Sequence, residues 1–497
     1  MCIPGTVTLT TLIVNSNSTG PLSRVAIWYD KASVTNWVPT DTQAKLAFPN
    51  SNSGSATLKD VDFRNVNFTG GTVTQMSNTR VGNMGGNSNI NFTSATVWYW
   101  TNGTFGGNIT NTVNNWASTT GGGVVTDGYP LPQDTIKFTD TLLTTGATLT
   151  IGSVDAILPT LDFSLRSLPI TFDTSSKDVY IAGSLNIPAG ATTINAVAGL
   201  FYMIGGRTQT ITSSNRTWNK AIAISSPGAN VTLADNFTSN VTYSYVFVPS
   251  IALIKGTLDI GNKTVTTRQF STRYPYNSAK KTLVCSSGST INLTGTSGNV
   301  WDNGDGGWNV SGSTPDVYVT GLNSSGQINN FGPSLSNVSA SGTWAPINIT
   351  LGAGVSGTLT LVGVFNNADL GTNSHSIVYS TNYNPVFYGN VTIKDNTIFS
   401  GTMVLHPTTG TTKTLITNWV PGQGAVGTNG VNVGASSIFI GDTNIPNQAG
   451  TVQLQGSLTG TGYFWMDNGT LDLNGNTASV GGLLMQNNVA YNRAVSM

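Results

Sequence analysis

At 497 residues, with 21 Lys and Arg balanced by 21 acidic residues, the chain can bury a large core but offers no basic surface to a phosphate backbone. Only 8% of residues are charged, none is Glu and 58 are Gly, which excludes a protein built on Glu- and Lys-faced helices. Abundant Asn, Ser and Thr beside 38% hydrophobic residues point to a folded, all-β chain rather than a charged disordered one.

The N-terminus, Met1-Cys2-Ile3-Pro4-Gly5-Thr6, has neither a basic stretch nor an unbroken apolar run, and no segment is long and apolar enough to span a bilayer. Neither signal-directed export nor membrane insertion is expected. Cys2 and Cys285 are the only cysteines and match no metal or redox spacing, so two free thiols are expected. Residues 1 to about 25 read as one or two strands and a polar loop, an N-terminal docking arm.

Residues 56–60, 61–65 and 66–70 are three successive five-residue units, each with Leu or Phe at its centre (Leu58, Phe63, Phe68). This spacing resembles the pentapeptide-repeat pattern, in which four units make one coil of a β-helix. Two short strands with a kink fit the same residues equally well.

From residue 96 an aromatic module follows: Val97-Trp98-Tyr99-Trp100, Gly106-Gly107, Asn115-Trp116, Gly121-Gly122-Gly123, then Pro130 to Phe138. Stacked aromatics can bind sugar rings, but indoles that cap the open end of a β-stack explain the composition better. Beyond residue 145, short strands such as Leu161-Asp162-Phe163, Ile170-Thr171-Phe172 and Val179-Tyr180-Ile181 recur about every ten residues between turn residues. The unit Gly256-Thr257-Leu258-Asp259-Ile260 returns as Gly469-Thr470-Leu471-Asp472-Leu473. In both, two aliphatics face one way, Asp the other, and a Gly/Asn turn follows. A longer echo links the region of Trp218 to that of Trp344.

These repeats predict an elongated, mainly parallel β-solenoid, with tandem antiparallel sandwiches as the alternative. The expected division is an N-terminal β region at 1–95 with a pentapeptide-like coil, a Trp/Gly-rich capping module at 96–145, and two β-repeat bodies at 146–345 and 346–497. Coils of twenty to twenty-five residues stacked about 4.8 Å apart would make the C-terminal 350 residues a rod of order 70 Å. Its ends need caps or partners.

Two stretches carry a family resemblance. The Trp/Gly module is similar to a pattern in structural proteins of tailed bacteriophages. The Gly-Thr-Leu-Asp unit with Phe270-Ser271, Thr290-Ile291-Asn292-Leu293 and Val300-Trp301 resembles a repeat of cyanophage-like virion and tail-fibre proteins. Similar Gly-Thr-Leu units occur in bacterial surface adhesins. The resemblance implies a virion structural protein, a homotrimer joined to other virion proteins, with a host-surface glycan as a further partner.

Without Glu, any acid/base pair must be two Asp, as in Asp60/Asp62, Asp173/Asp178, Asp302/Asp305 or Asp467/Asp472. Trp301-Asp302-Asn303-Gly304-Asp305-Gly306-Gly307-Trp308 is the best local candidate for sugar contact, although Asp-Asn-Gly and Asp-Gly-Gly are also plain turn formers. The glycan-contact candidates are therefore Trp98, Tyr99, Trp100, Trp116, Trp301, Asp302, Asp305 and Trp308. The lone His375 and His406 support neither a metal site nor a triad and read as surface or ladder positions. No catalytic residue, metal, cofactor or nucleic-acid partner is expected. The leading expectation is a non-enzymatic phage tail fibre, spike or head appendage located in the virion. The alternatives are a bacterial or archaeal cell-surface adhesin or filament subunit, and a polysaccharide-degrading tailspike acting as hydrolase or lyase.

Overall fold

In the computed structural model the described residues are 6–8, 11–15, 25–28, 44–47, 55–69, 73–74, 80–101, 106–109, 115–125, 129–141, 143, 146–151, 156–174, 177–187, 192–195, 199–241, 249–273, 281–303, 308–330, 346–370, 375–379, 385–393, 397–400, 403–417, 438–441, 449–459, 463–485 and 493–497. Among them there is no helix. The described pairings are parallel, with one exception: Val97–Trp100 meets Trp116–Ala117 antiparallel. Tandem antiparallel sandwiches are thereby set aside. The chain forms two compact units, residues 1–263 with 277–283 and residues 264–276 with 284–497.

In the first unit, Ile136, Leu161, Leu185 and Ile211 are successive partners in one parallel ladder, so each rung follows the last after about 25 residues. A second ladder runs Ala156–Leu158, Val179–Ile181, Leu200–Met203 and on to Ala221–Leu233. A third runs Gly106–Asn108, Ala147–Thr150, Ile170–Asp173 and Thr192–Asn195. Along these strands inward residues alternate with outward ones, as period-2 geometry requires: Ile170 and Phe172 are buried, while Thr171 and Asp173 are half-exposed. Phe138 stacks on Phe163 at 4.4 Å and Phe172 on Phe201 at 5.9 Å, and Trp218 sits between Phe201 and Phe237. Identical registers bring like residues together from rung to rung.

The five-residue units near the N-terminus are three strands, Ser55–Lys59, Val61–Arg64 and Val66–Thr69, each paired into a different sheet. Asp60 (φ 53°) and Asn65 (φ 55°) turn the chain between them in the left-handed conformation. Single-residue corners of this kind let Val61, Phe63, Val66 and Phe68 all become fully buried. The spacing thus marks corners between short strands, as the reading of two short strands with a kink at Asn65 has it.

In the second unit one ladder continues from Thr264–Thr267 through Thr290–Leu293, Asp316–Val319 and Ile347–Leu351. It proceeds through the end of Thr358–Asp369, then Val391–Ile393, Thr412–Thr417 and Thr451–Leu454 to Gly469–Asp472 and Arg493–Ser496. Rung-to-rung hydrogen bonds join short polar side chains here. Asn348 donates to Asp316 (2.8 Å), Asn366 to Asn348 (2.9 Å), and the Asn390 backbone N–H to Asn367 (2.9 Å).

The two Gly-Thr-Leu-Asp units adopt one local structure. Gly256 and Gly469 open them with positive φ, Leu258 and Leu471 are buried, and each Asp accepts from the backbone N–H two residues on (Gly261, 2.9 Å; Asn474, 3.0 Å). A methyl group on Gly256 would lie 2.1 Å from the Ser226 carbonyl oxygen, whereas one on Gly261 would meet open space. Gly256→Ala is therefore expected to cost roughly 3 kcal/mol and Gly261→Ala only about 1 kcal/mol, read as the difference between their urea midpoints.

Candidate functional site

The aromatic module is fastened by one carboxylate. Pro130-Leu131-Pro132-Gln133-Asp134 makes a turn in which the Asp134 N–H donates to the Leu131 carbonyl at 2.8 Å. The Asp134 carboxylate accepts from the Thr96 N–H (2.8 Å), the Leu131 N–H (2.7 Å) and Trp98 Nε1 (2.9 Å). Burial raises its pKa above the usual carboxylate value, and these three donors and Arg207 act in the opposite direction. Trp98 and Tyr99 are half-buried; Trp100 and Trp116 are buried and meet edge-to-face at 5.0 Å. Of the four, only Trp98 and Tyr99 have any surface to offer a ligand.

The second candidate cluster is likewise turned inward. Trp301 and Trp308 are buried, Trp301 stacks on Phe270 at 4.9 Å, and Trp308 stands edge-on to both. Asp302, half-buried, accepts from Asn329 one rung away (3.3 Å) and lies 3.8 Å from the Arg273 guanidinium. Beneath it, Trp301 Nε1 and Asn303 both donate to the Asn330 side chain, which donates onward to the Val364 carbonyl. Asp305 lies outside the described residues, so the Asp302/Asp305 pair has no described geometry.

The Asp60/Asp62 and Asp467/Asp472 pairs are also bound up in structure. Asp60 takes two 2.7 Å bonds from Arg80 and one of 2.8 Å from the Tyr129 hydroxyl. Asp62 is buried against Gly82, where any side chain would collide with it. Asp467 accepts from Trp465 Nε1 (2.7 Å). Asp472 accepts from Gln453 (2.8 Å), the Asn474 N–H and Ser496 (2.9 Å), and these bonds, Gln453 foremost, lower its pKa. His406 is a correction to the surface expectation, for it is buried, with its ring 5.5 Å from that of Tyr388. The side chain of His375 lies outside the described residues.

Sequence reasoning missed a buried polar clamp that joins residues 60–68 and 80–89 to later rungs of the same unit. Arg64 donates to the Ile204 carbonyl (2.8 Å), Asn65 to that of Pro227 (3.1 Å), and the Gly206 N–H to the Met84 carbonyl (2.7 Å). Gln133 accepts from the Asn83 N–H at 2.8 Å. The available signal was Asp62 and Arg64 at the outward positions of a strand whose inward positions are Val61 and Phe63. Nothing in the sequence said that another segment would cover them.

An open surface lies on the outward face of one ladder of the first unit. A shallow cleft of about 410 Å³ is lined by the outward residues of one ladder, among them Thr135, Lys137, Thr160, Asp162, Asn186 and Thr212. Asn186 donates to Asp162 (3.0 Å) and Lys137 lies 3.9 Å from it. These groups can hydrogen-bond a polyhydroxyl ligand, but the cleft contains one carboxylate and so lacks the pair that glycoside hydrolysis uses. Among the described residues no group of three or more His, Cys or Asp is placed to hold a metal ion, and no helix is long and apolar enough to cross a membrane. Compared with protein-family models, with curated proteins and with solved structures, the chain matches none.

Lys220 is fully buried, its ammonium 2.6 Å from Thr174 Oγ1 and 3.4 Å from the Lys177 carbonyl. Burial lowers its pKa to about 8, against the pull of Asp178 and Asp173. Between about pH 8 and the ordinary lysine value near 10.4 the unfolded chain holds a proton that the folded chain has released, so stability rises with pH across that window. The gain is on the order of 3 kcal/mol. Urea unfolding from pH 7.5 to 10.5 should show this slope in the wild type and lose it in Lys220→Met.

Proposed function

We propose that this chain is a non-enzymatic structural protein of a phage particle, a tail fibre, spike or head appendage, folded as a parallel β-solenoid. The observation that carries the reading is the succession of in-register parallel rungs in which inward residues are apolar and outward Asp residues are spent on hydrogen bonds to neighbouring rungs. A stack of that kind adds length at the cost of a few aliphatic residues per rung. It suits reach and adhesion.

Support from chemistry points the same way. Acid/base catalysis needs a carboxyl group whose proton is free to move toward a substrate. Asp60, Asp302 and Asp472 are instead engaged by Arg80, Asn329 and Gln453. The low charge and the hydroxyl and amide surface also favour contact with neutral glycans of a host envelope, to which the Thr135–Thr212 cleft offers hydrogen-bonding groups. The resemblance of the Trp/Gly module and of the Gly-Thr-Leu-Asp repeat to virion proteins supplies the setting. The homotrimer, the other virion proteins and the host glycan remain the partners of this reading.

Antibody raised against the protein should label purified phage particles, and peptides of the chain should be recovered from those particles by mass spectrometry. Particles free of it would overturn the assignment. Incubated with capsular polysaccharide of the host, the protein should release no oligosaccharide. Cleavage that Asp302→Ala abolishes would replace the structural role with an enzymatic one.

A further inference from the structure

We propose that an outward-facing apolar column in the second unit, Val386, Val404, Phe439, Trp465 and Leu484, is a self-association surface covered by the same column of a second copy of this chain. This deepens the structural reading above, since it names the surface through which copies join.

The column is set by register. Val386 pairs with Val404, Val404 with Phe439, Phe439 with Trp465, and Trp465 with Leu484, each across one parallel strand pair. Their sequence neighbours Phe387, Met403, Leu405, Ile438, Ile440, Phe464 and Met466 are buried, so Val386, Val404, Phe439 and Trp465 point the opposite way, to the outside; Leu484 joins them by register with Trp465, on a last strand whose Leu483 and Met485 are exposed as well. The first four are half-exposed and Leu484 is 40% exposed. Rungs about 4.8 Å apart make a straight ridge roughly 19 Å long.

The next ladder of the same unit shows what an outward column looks like when water covers it. There Thr414, Gln453, Asp472 and Ser496 are successive partners. Gln453 and Ser496 both donate to Asp472. Five successive apolar residues on the neighbouring ladder depart from that pattern, as a face destined for contact does.

The chemistry selects the occupant. Phe439 and Trp465 are stacked on each other at 5.3 Å with planes 15° apart, so each ring covers a face of the other and the pair presents edges outward. A sugar or nucleobase finds little flat ring to stack upon. None of the five residues is charged, nor are Tyr463 and Gly482, the other outward residues of these strands; Asp467, bonded to Trp465 Nε1, stands at the rim. Polyanionic glycans, nucleic acid and anionic lipid therefore gain nothing there. A straight uncharged ridge with a 4.8 Å repeat is matched by a surface with the same repeat, and the column of another copy supplies it. A ridge of this length is a small interface core, so association should depend on concentration in the micromolar range.

Phe439 is the third of the five residues, so it meets its own counterpart whether the copies dock parallel or antiparallel. The test uses the full chain carrying Cys2→Ser, in which the remaining Cys285 is buried. Phe439→Cys should be cross-linked to a dimer or higher species by a short bis-maleimide, whereas Thr414→Cys on the polar column should not. In sedimentation velocity the wild type should be oligomeric at tens of micromolar. Val404→Lys, which alters only a half-exposed outward position, should weaken association at least tenfold with an unchanged circular dichroism spectrum. A wild type that stays monomeric at every concentration overturns the proposal, whether the column proves open to maleimide or shielded by other parts of the chain. So does an oligomer indifferent to Val404→Lys, or cross-linking through Thr414→Cys alone. A protein found in particles yet monomeric by these tests would sink the surface and leave the structural role standing, and an oligomer missing from particles would do the reverse.

Discussion

Everything in this protein depends on the parallel backbone ladder between one short strand and its partner about a rung later. Strands of three to five residues bury too little by themselves to be stable, so each relies on neighbours above and below for its backbone hydrogen bonds and for the continuity of its apolar side. A slip of one residue would turn every inward side chain outward. The registers avoid this: Val179, Phe201 and Ile222 follow one another inside, while Tyr180, Tyr202 and Ala223 follow on the other face. The columns of stacked Phe and Trp are a consequence of that fidelity.

The same geometry explains the composition. Long charged side chains suit helix surfaces, where they can pair three or four residues apart. Between rungs the distance to bridge is shorter, and Asn, Asp, Ser and Thr match it. The chain from Asp316 through Asn348 to Asn366 is one result, and Lys137–Asp162–Asn186 is another. Acidic residues used in this way hold rungs together and are poorly placed to shuttle protons.

A second layer of organisation sits outside the ladders of the first unit. Asp60, Arg64, Asn65 and Gln133 hold residues 60–68 and 80–89 against the Pro132 turn and the 204–227 region, with Arg80 forked onto Asp60 and lying 4.9 Å over the Tyr129 ring. Buried charge–hydrogen-bond networks of this kind tolerate few alternative arrangements, because a broken partner leaves a desolvated ion. Such a clamp specifies one placement of the segment more than it adds net stability. The outward apolar column of the second unit contrasts with it: it is regular, uncharged and open.

Much of the fold was legible from residue order. The absence of Glu, the short alternating runs and the Gly/Asn corners specified an all-β chain. The Gly-Thr-Leu-Asp units were recognisable because their turn chemistry is local, each Asp reaching only two residues along. The site candidates fared differently. Trp100, Trp116, Trp301 and Trp308 look alike in sequence whether they face a ligand or a core, since period-2 alternation defines two faces without saying which is inside. The clamp on Asp60, the burial of His406 and the column from Val386 to Leu484 each join residues tens of positions apart. Local pattern therefore determined strands, corners and repeats, whereas strand direction, the identity of the inner face and every surface assembled across rungs were decided by tertiary register, because only pairing over long sequence separations brings those side chains side by side.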